Sequence, residues 1–162
     1  MNLATDATIV LAPARPADLP LLATYMGGLR AADPMPAGTL ADDATAAAAM
    51  SALIADPALG RAWLVHAAGG PVGYAVLTFV HSIEFGGRCG FLDELYVEDA
   101  ARGQGVGRRM LDLVAAEAES LTVRVLLLEV SPENERAARL YERAGFGQRK
   151  YRLMVRRLAS SQ

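Results

Sequence analysis

LYVEDAARGQGVG, residues 95–107, is the stretch that decides the fold of this 162-residue chain. Leu95-Tyr96-Val97 ends a strand-like run that begins near residue 88. The residues that follow predict a helix over 101–120, since apolar side chains recur there at helical spacing: Val106, Met110, Leu113 and Val114. Between strand and helix, three alternating glycines remove side chains that would keep a ligand from the backbone. The first amides of a helix lack internal partners and lie at its positive end, so this turn predicts a phosphate-binding site.

Two common phosphate-binding patterns do not fit this turn. The dinucleotide pattern G-x-G-x-x-G fails, because its third glycine position holds Arg108 when counted from Gly103 and Met110 when counted from Gly105. The P-loop pattern fails because no Gly-Lys-Ser/Thr follows. What remains is Arg102-x-x-Gly105-x-Gly107 directly after a strand.

That remaining pattern resembles the coenzyme A pyrophosphate signature of the GNAT superfamily of N-acetyltransferases. The resemblance is good over residues 91–146 and includes these later residues at the family spacing: Leu128-Glu129-Val130, Asn134, Ala138, Leu140-Tyr141 and Gly145-Phe146. The first sixty residues match the family only in the order of their elements.

Working outward, the patterns alternate between strands and helices. Strands are predicted at 8–11, 61–67, 71–81, 88–97, 123–130 and 150–158. The fifth is a dense run of β-branched residues and leucine, which is typical of a strand covered on both faces. Helices are predicted from Pro16 to a stop at Gly27-Gly28, and at 40–55, 101–120 and 134–144. We expect one α+β domain over residues 1–162, a GNAT-like mixed central sheet with an antiparallel N-terminal half, a β-α-β C-terminal half and helices on both faces.

The bulk composition narrows the function class. A net charge of −2 does not favour a broad basic face for nucleic acid, and no apolar run is long enough for a membrane span. Residues 1–10 show no secretion signal, and the lone Cys89 allows no internal disulfide, so a cytoplasmic location is expected. Cys89 is predicted to be a buried bystander. One cysteine and two histidines argue against a zinc site, so no metal is expected.

The resemblance implies that acetyl-CoA is the cosubstrate and lies between strands 88–97 and 123–130. Backbone groups of Leu95 and Val97 pair with the pantetheine arm in this interpretation, and the Val97 amide polarises the thioester carbonyl. Asn134 bonds the pantetheine arm, and the glycine turn holds the pyrophosphate. The candidate coenzyme-binding residues are Leu95, Tyr96, Val97, Arg102, Gly103, Gln104, Gly105, Val106, Gly107, Arg108, Asn134 and Tyr141.

The resemblance also suggests the catalytic groups. Tyr141 looks like the family's general acid, which protonates the departing thiolate. For the base, Glu129 resembles the glutamate of ribosomal-protein N-terminal acetyltransferases, and Asp93-Glu94 resembles the acidic pair of polyamine acetyltransferases. Strand alternation puts Asp93 and Glu94 on opposite faces unless a bulge intervenes. Glu129 is favoured over Asp93, with a water relay in either case.

The acceptor is left open by the sequence. Residues 26–43 and 80–89 are the loops expected to select it, and acidic residues there and nearby hint at a cationic amine: Asp33, Asp42, Asp43, Glu84, Asp93 and Glu94. A small molecule or a peptide N-terminus is permitted, and so is a homodimer. Two rival functions stay open: a non-catalytic acyl-CoA-binding sensor, and a toxin-type acetyltransferase acting on charged tRNA, which the net charge does not favour.

Overall fold

The computed structural model describes residues 8–36, 38 and 40–158. Two 3₁₀ turns, Pro16–Asp18 and Asp99–Ala101, accompany the regular elements. In chain order those elements are β1 (Val10–Pro13), α1 (Leu19–Ala32), α2 (Asp43–Ala55), β2 (Gly60–Ala67), β3 (Gly70–Ser82), β4 (Gly87–Val97), α3 (Val106–Ser120), β5 (Val125–Leu127) and α4 (Glu135–Arg143).

The strands form one mixed sheet in the order β1-β2-β3-β4-β5. The first four pair antiparallel, whereas β5 pairs with β4 in parallel. Short turns join β2 to β3 and β3 to β4, and α1 and α2 lie between β1 and β2. Parallel neighbours need a crossover, and α3 provides it. The predicted antiparallel half and β-α-β half are therefore both confirmed.

Each face of the sheet carries its own core because alternate residues of a strand point to opposite sides. Tyr74 and Val76 of β3 pack with α1 and α2, whereas Ala75 and Leu77 pack with α3. Cys89 is fully buried and free, as predicted. Among the described helices, none is long and apolar enough to cross a membrane.

Helix α1 does not stop at Gly27-Gly28, so that prediction was wrong. It continues to Ala32, and Arg30 lies in its last turn. A Cβ on Gly28 would lie 2.5 Å from the Tyr96 hydroxyl oxygen, whereas one on Gly27 would meet nothing within 4 Å. Gly28 therefore serves the close approach of α1 to the sheet, and its helix-weakening effect of about 1 kcal/mol is overcome by packing.

Two further helices begin later than expected. α2 begins at Asp43 rather than residue 40, because the Asp42 side chain accepts the Thr45 N–H at 2.7 Å and caps the helix. α3 begins at Val106 rather than residue 101. The 3₁₀ turn and the left-handed glycines that follow it occupy the intervening residues.

The C-terminal strands are shorter than predicted. β5 has three residues and lies at the edge of the described sheet. All three are only half-buried, so the strand is not fully covered on both faces as expected. Residues 150–158 form no strand, and that prediction was wrong. A three-residue edge offers too little backbone for so long a partner, and the apolar side chains of this tail are exposed: Tyr151, Leu153, Met154, Val155 and Leu158.

Candidate active site

The site begins where β4 and β5 separate. The two strands pair only from Cys89–Val125 to Phe91–Leu127. At the far end of β4 the Glu98 N–H donates to the Val72 carbonyl at 2.9 Å. By the alternation of an antiparallel ladder, the N–H and C=O groups of Val97 and Leu95 then point away from β3, toward the side that β5 has left.

Arg102 lies across this exposed edge of β4. Its Nε donates to the Val97 carbonyl at 2.8 Å, and its guanidinium stacks 5.5 Å from the Tyr96 ring centroid and pairs with Asp99. Its backbone N–H donates to the Asp99 carbonyl at 3.2 Å. The unpaired amides of the turn therefore begin at Gly103, and the Arg102 side chain braces the strand end.

The glycine turn has the conformation that an anion cradle requires. Gly103 and Gly105 have φ of 78° and 81°, in the left-handed region, and Gly105 is the N-cap of α3. The first α-helical bond is from the Arg109 N–H to the Gly105 carbonyl at 3.0 Å. The amides of Val106, Gly107 and Arg108 thus have no partner inside the helix. A Cβ at Gly103 or Gly105 would meet nothing within 4 Å, so the surrounding space is open.

The rest of the turn packs against α4. A Cβ on Gly107 would lie 3.1 Å from Leu140 Cδ2, so the glycine lets the two helices approach. Arg108 donates to Asp112 at 3.1 Å and to the Arg143 carbonyl. In the described structure the Arg108 side chain thus ties α3 to the end of α4.

Asn134 and Tyr141 lie on one side of α4, because seven residues are about two helical turns. Asn134 caps the helix: its Oδ1 accepts the Ala137 N–H at 3.1 Å. Its Nδ2 donates to Asp33 Oδ2 at 3.0 Å. Burial raises the pKa of the Tyr141 phenol, and the charge of Asp33 raises it further. The phenol therefore keeps its proton at neutral pH.

A β-bulge places the acidic pair. Val76 pairs with Glu94 and Leu77 with Leu92, so Asp93 has no partner on β3. The bulge breaks the strict alternation that would separate Asp93 from Glu94. Burial raises the pKa of each carboxyl, and that of Glu94 is raised further by the nearby Asp93.

The end of α1 lies near Glu94. Arg30 bonds Asp43 at 2.5 Å, and its charge lowers the pKa of Glu94 in part. Glu94 also accepts the Tyr74 hydroxyl at 2.9 Å. Glu129, by contrast, follows the end of β5 and is exposed. The structure thus leaves Glu94 half-buried beside Tyr74 and near Arg30, whereas Asp93 and Glu129 are both exposed.

A cavity of about 720 Å³ lies on the other side of the turn. It is bounded by the starts of β1 and β3 and by Gln104, Gly105 and Arg109. Neither Asn134 nor Tyr141 lines it. We therefore place the candidate site at the opening beside β4 rather than in this cavity.

Sequence reasoning missed the contacts that Arg30, Asp33 and Tyr74 make. Asp33 was noted only as one acid among several in a loop, and its partner Asn134 is 101 residues away. Tyr74 is one of many apolar residues in a strand pattern. No local signal marks these residues, since each acquires its role from tertiary contacts.

The comparisons with known proteins bear on the family and the fold. The acetyltransferase (GNAT) family pattern matches residues 30–146, and a search of curated proteins gives no match. Among solved structures, an integron cassette protein from the mobile metagenome of Cole Harbour Salt Marsh is 33% identical, with 99% of this chain and 95% of that chain covered and a TM-score of 0.77.

Two solved relatives carry the coenzyme. A predicted acetyltransferase with acetyl-CoA from Clostridium acetobutylicum is 19% identical, with 92% of this chain and 96% of that chain covered and a TM-score of 0.76. An aminoglycoside N-acetyltransferase in complex with CoA is 17% identical, with coverages of 94% and 97% and a TM-score of 0.75. At these identities the likeness shows the fold.

Proposed function

We propose that this chain, which belongs to the acetyltransferase (GNAT) family, transfers the acetyl group of acetyl-CoA directly to a primary amine. Three features support the proposal. The outward backbone groups of Leu95 and Val97 lead directly into the unpaired amides at the start of α3, and this run of free backbone groups is the observation that carries the proposal. The third feature is the half-buried Tyr141 phenol on α4, the helix whose Leu140 packs on Gly107 of the turn.

The first two features suit the two ends of the coenzyme. A diphosphate is stabilised by unpaired amides at a helix start, and Gly103 to Arg108 would supply them here. An extended pantetheine arm can pair with outward backbone groups as an added strand would. The Val97 carbonyl is bonded by Arg102, so its N–H is the free group that can polarise the thioester carbonyl.

The transfer itself needs one acid and one base. The neutral amine attacks the thioester carbon, a C–N bond forms and the C–S bond breaks. Tyr141 gives its proton to the departing sulfur, and its buried, protonated state suits that role. The nitrogen then loses a second proton to water, and water returns a proton to the phenolate that Tyr141 becomes. The ammonium form of the acceptor first loses its proton to a carboxylate. We assign that carboxylate to Asp93, because it is the unpaired and exposed residue of the bulge, whereas Glu94 is bonded by Tyr74; the raised pKa of Asp93 suits the role, and Glu129 is the alternative.

Thiol release from acetyl-CoA over a panel of primary amines tests the activity, with coenzyme A affinity measured by calorimetry alongside. We expect Tyr141→Phe to turn over about 10²-fold more slowly, in the range for loss of an acid catalyst. Its coenzyme A affinity, measured alongside, separates loss of the acid from loss of binding. Tyr151→Phe, which removes the hydroxyl of an exposed tyrosine in the C-terminal tail, is the matched control. Equal turnover by Tyr141→Phe and the parent contradicts the role of the phenol. Coenzyme binding without release on any amine supports the sensor function instead.

A further inference from the structure

Asp33 connects two elements that pack on different faces of the sheet. It ends α1, whose Leu22 and Tyr25 belong to the core on the Tyr74 side. Its carboxylate accepts from Asn134 at the start of α4, whose Tyr141 packs on the α3 side. The contact therefore lies beyond the last β4–β5 pair, where no strand separates the two faces.

The contact also fixes how the Asn134 amide is turned. Its oxygen accepts the Ala137 N–H, so its nitrogen must face Asp33, and each end of the amide has one partner. An amide nitrogen carries two N–H donors, and Asp33 takes one of them. The second N–H is left for a ligand, in an orientation that the carboxylate sets.

We propose that Asp33 is a positioning residue of the acetyl-transfer site, which fixes the Asn134 amide for the pantetheine arm and places a negative charge beside Tyr141. The inference rests on the proposed function. It assigns Asp33 no contact with the reacting atoms. The charge has a measurable effect of its own, since it adds to burial in raising the pKa of Tyr141.

Two substitutions separate the two effects. Asp33→Asn keeps an oxygen that can accept from Asn134 and removes the charge. Asp33→Ala removes both. We expect Asp33→Ala to weaken coenzyme A binding roughly three- to tenfold, the value of one oriented hydrogen bond, and Asp33→Asn to stay within about twofold of the parent.

The effect of the Asp33 charge is measured by titrating the Tyr141 phenol rather than by assaying activity. The ultraviolet phenolate titration is recorded for the parent, for Asp33→Asn and for each of these carrying Tyr141→Phe, so that the difference isolates Tyr141. We expect the Tyr141 step to move to lower pH in Asp33→Asn, because only burial then raises its pKa. A purely structural Asp33 would lower the unfolding temperature without moving this step.

Asp56→Asn is the matched control, since Asp56 is an exposed carboxylate that bonds the Ala58 N–H away from the site. It should leave both coenzyme A affinity and the Tyr141 step unchanged. Coenzyme A affinity of Asp33→Ala equal to that of the parent overturns the inference, and so does an unmoved Tyr141 step in Asp33→Asn. A parent protein that does not bind coenzyme A contradicts the proposed function itself.

Discussion

The Tyr74 hydroxyl on β3 donates a 2.9 Å hydrogen bond to the Glu94 carboxylate on β4. Tyr74 is fully buried, and the rings of Tyr25 and Tyr96 lie 6.1 and 6.3 Å from it, centroid to centroid. The bond lowers the pKa of Glu94, but burial has the larger effect and raises it. A carboxyl with raised proton affinity is therefore held against an aromatic cluster.

The raised pKa of Glu94 makes stability depend on pH. The folded state binds the Glu94 proton more tightly than the unfolded state does. The protonated carboxyl therefore stabilises the fold at pH values below its ordinary pKa of 4.5, and this stabilisation is lost as the pH rises through the raised pKa of the folded state. The amide oxygen of Glu94→Gln can still accept the Tyr74 hydrogen bond but does not titrate. We therefore expect the unfolding free energy of this variant to fall less than that of the parent as the pH rises through this range. Urea unfolding at a series of pH values measures this. The exposed Glu84→Gln should follow the parent, and parallel curves for Glu94→Gln and the parent would contradict the prediction.

Two adjacent glycines of α1 should respond oppositely to alanine. Gly27→Ala meets open space, so we expect stabilisation by about 0.5–1 kcal/mol from helix propensity. Gly28→Ala brings a methyl group within 2.5 Å of the Tyr96 hydroxyl oxygen, so we expect destabilisation by about 1–3 kcal/mol from overpacking. Denaturant unfolding followed by circular dichroism distinguishes them. If both variants change stability in the same direction, the packing role of Gly28 is refuted.

Gly105→Ala tests the cradle for the pyrophosphate. The new side chain meets no atom but must adopt a φ near 81°, which costs about 1–2 kcal/mol. We expect coenzyme A binding to weaken roughly tenfold as the turn relaxes and its amides lose alignment. Gly86→Ala is the control, because Gly86 has a φ of 72° and equally open surroundings in the β3–β4 turn. It should lose similar stability and keep its coenzyme affinity in calorimetry.

The identity of the base is decided by paired neutral substitutions. We expect Asp93→Asn to lower kcat about 10²-fold and Glu129→Gln to change it less than threefold. In the parent, the acidic limb of the kcat profile should lie above the ordinary aspartate value of 3.8, because the pKa of Asp93 is raised. The reverse order of effects would transfer the role to Glu129.

The strand, turn and helix around Gly105 were predictable because their signals are local. Apolar spacing marks α3, and glycines at left-handed φ mark the turn. The end of α1 was not predictable, since the helix-breaking tendency of Gly27-Gly28 is small beside the packing of Gly28 on Tyr96. The alternating pattern of residues 150–158 predicts a strand, but alternation alone provides no neighbouring strand to pair with.

In the candidate site, too, features with a local sequence signal were predictable and features that depend on tertiary contacts were not. Asn134 and Tyr141 were identified through their spacing, which a helix converts into a shared side. The contact of Asp33 with Asn134 spans 101 residues of sequence and depends on the complete fold. The sequence allowed for a bulge near Asp93 but could not predict it, because an extra residue in a strand does not change the amino-acid composition in a recognisable way.

The unpaired Asp93 also determines which face of the sheet each later side chain of β4 lies on. Val76 pairs with Glu94, and Leu95 and Val97 take their orientation from that register. Because Asp93 is the extra residue, losing it would restore an unbroken ladder, keep Val76 opposite Glu94 and leave the outward backbone groups of Leu95 and Val97 in place. Losing a paired residue beyond the bulge would instead shift the register by one and turn the later side chains to the opposite face. This segment should therefore tolerate a one-residue deletion at position 93 and not at position 95 or 96.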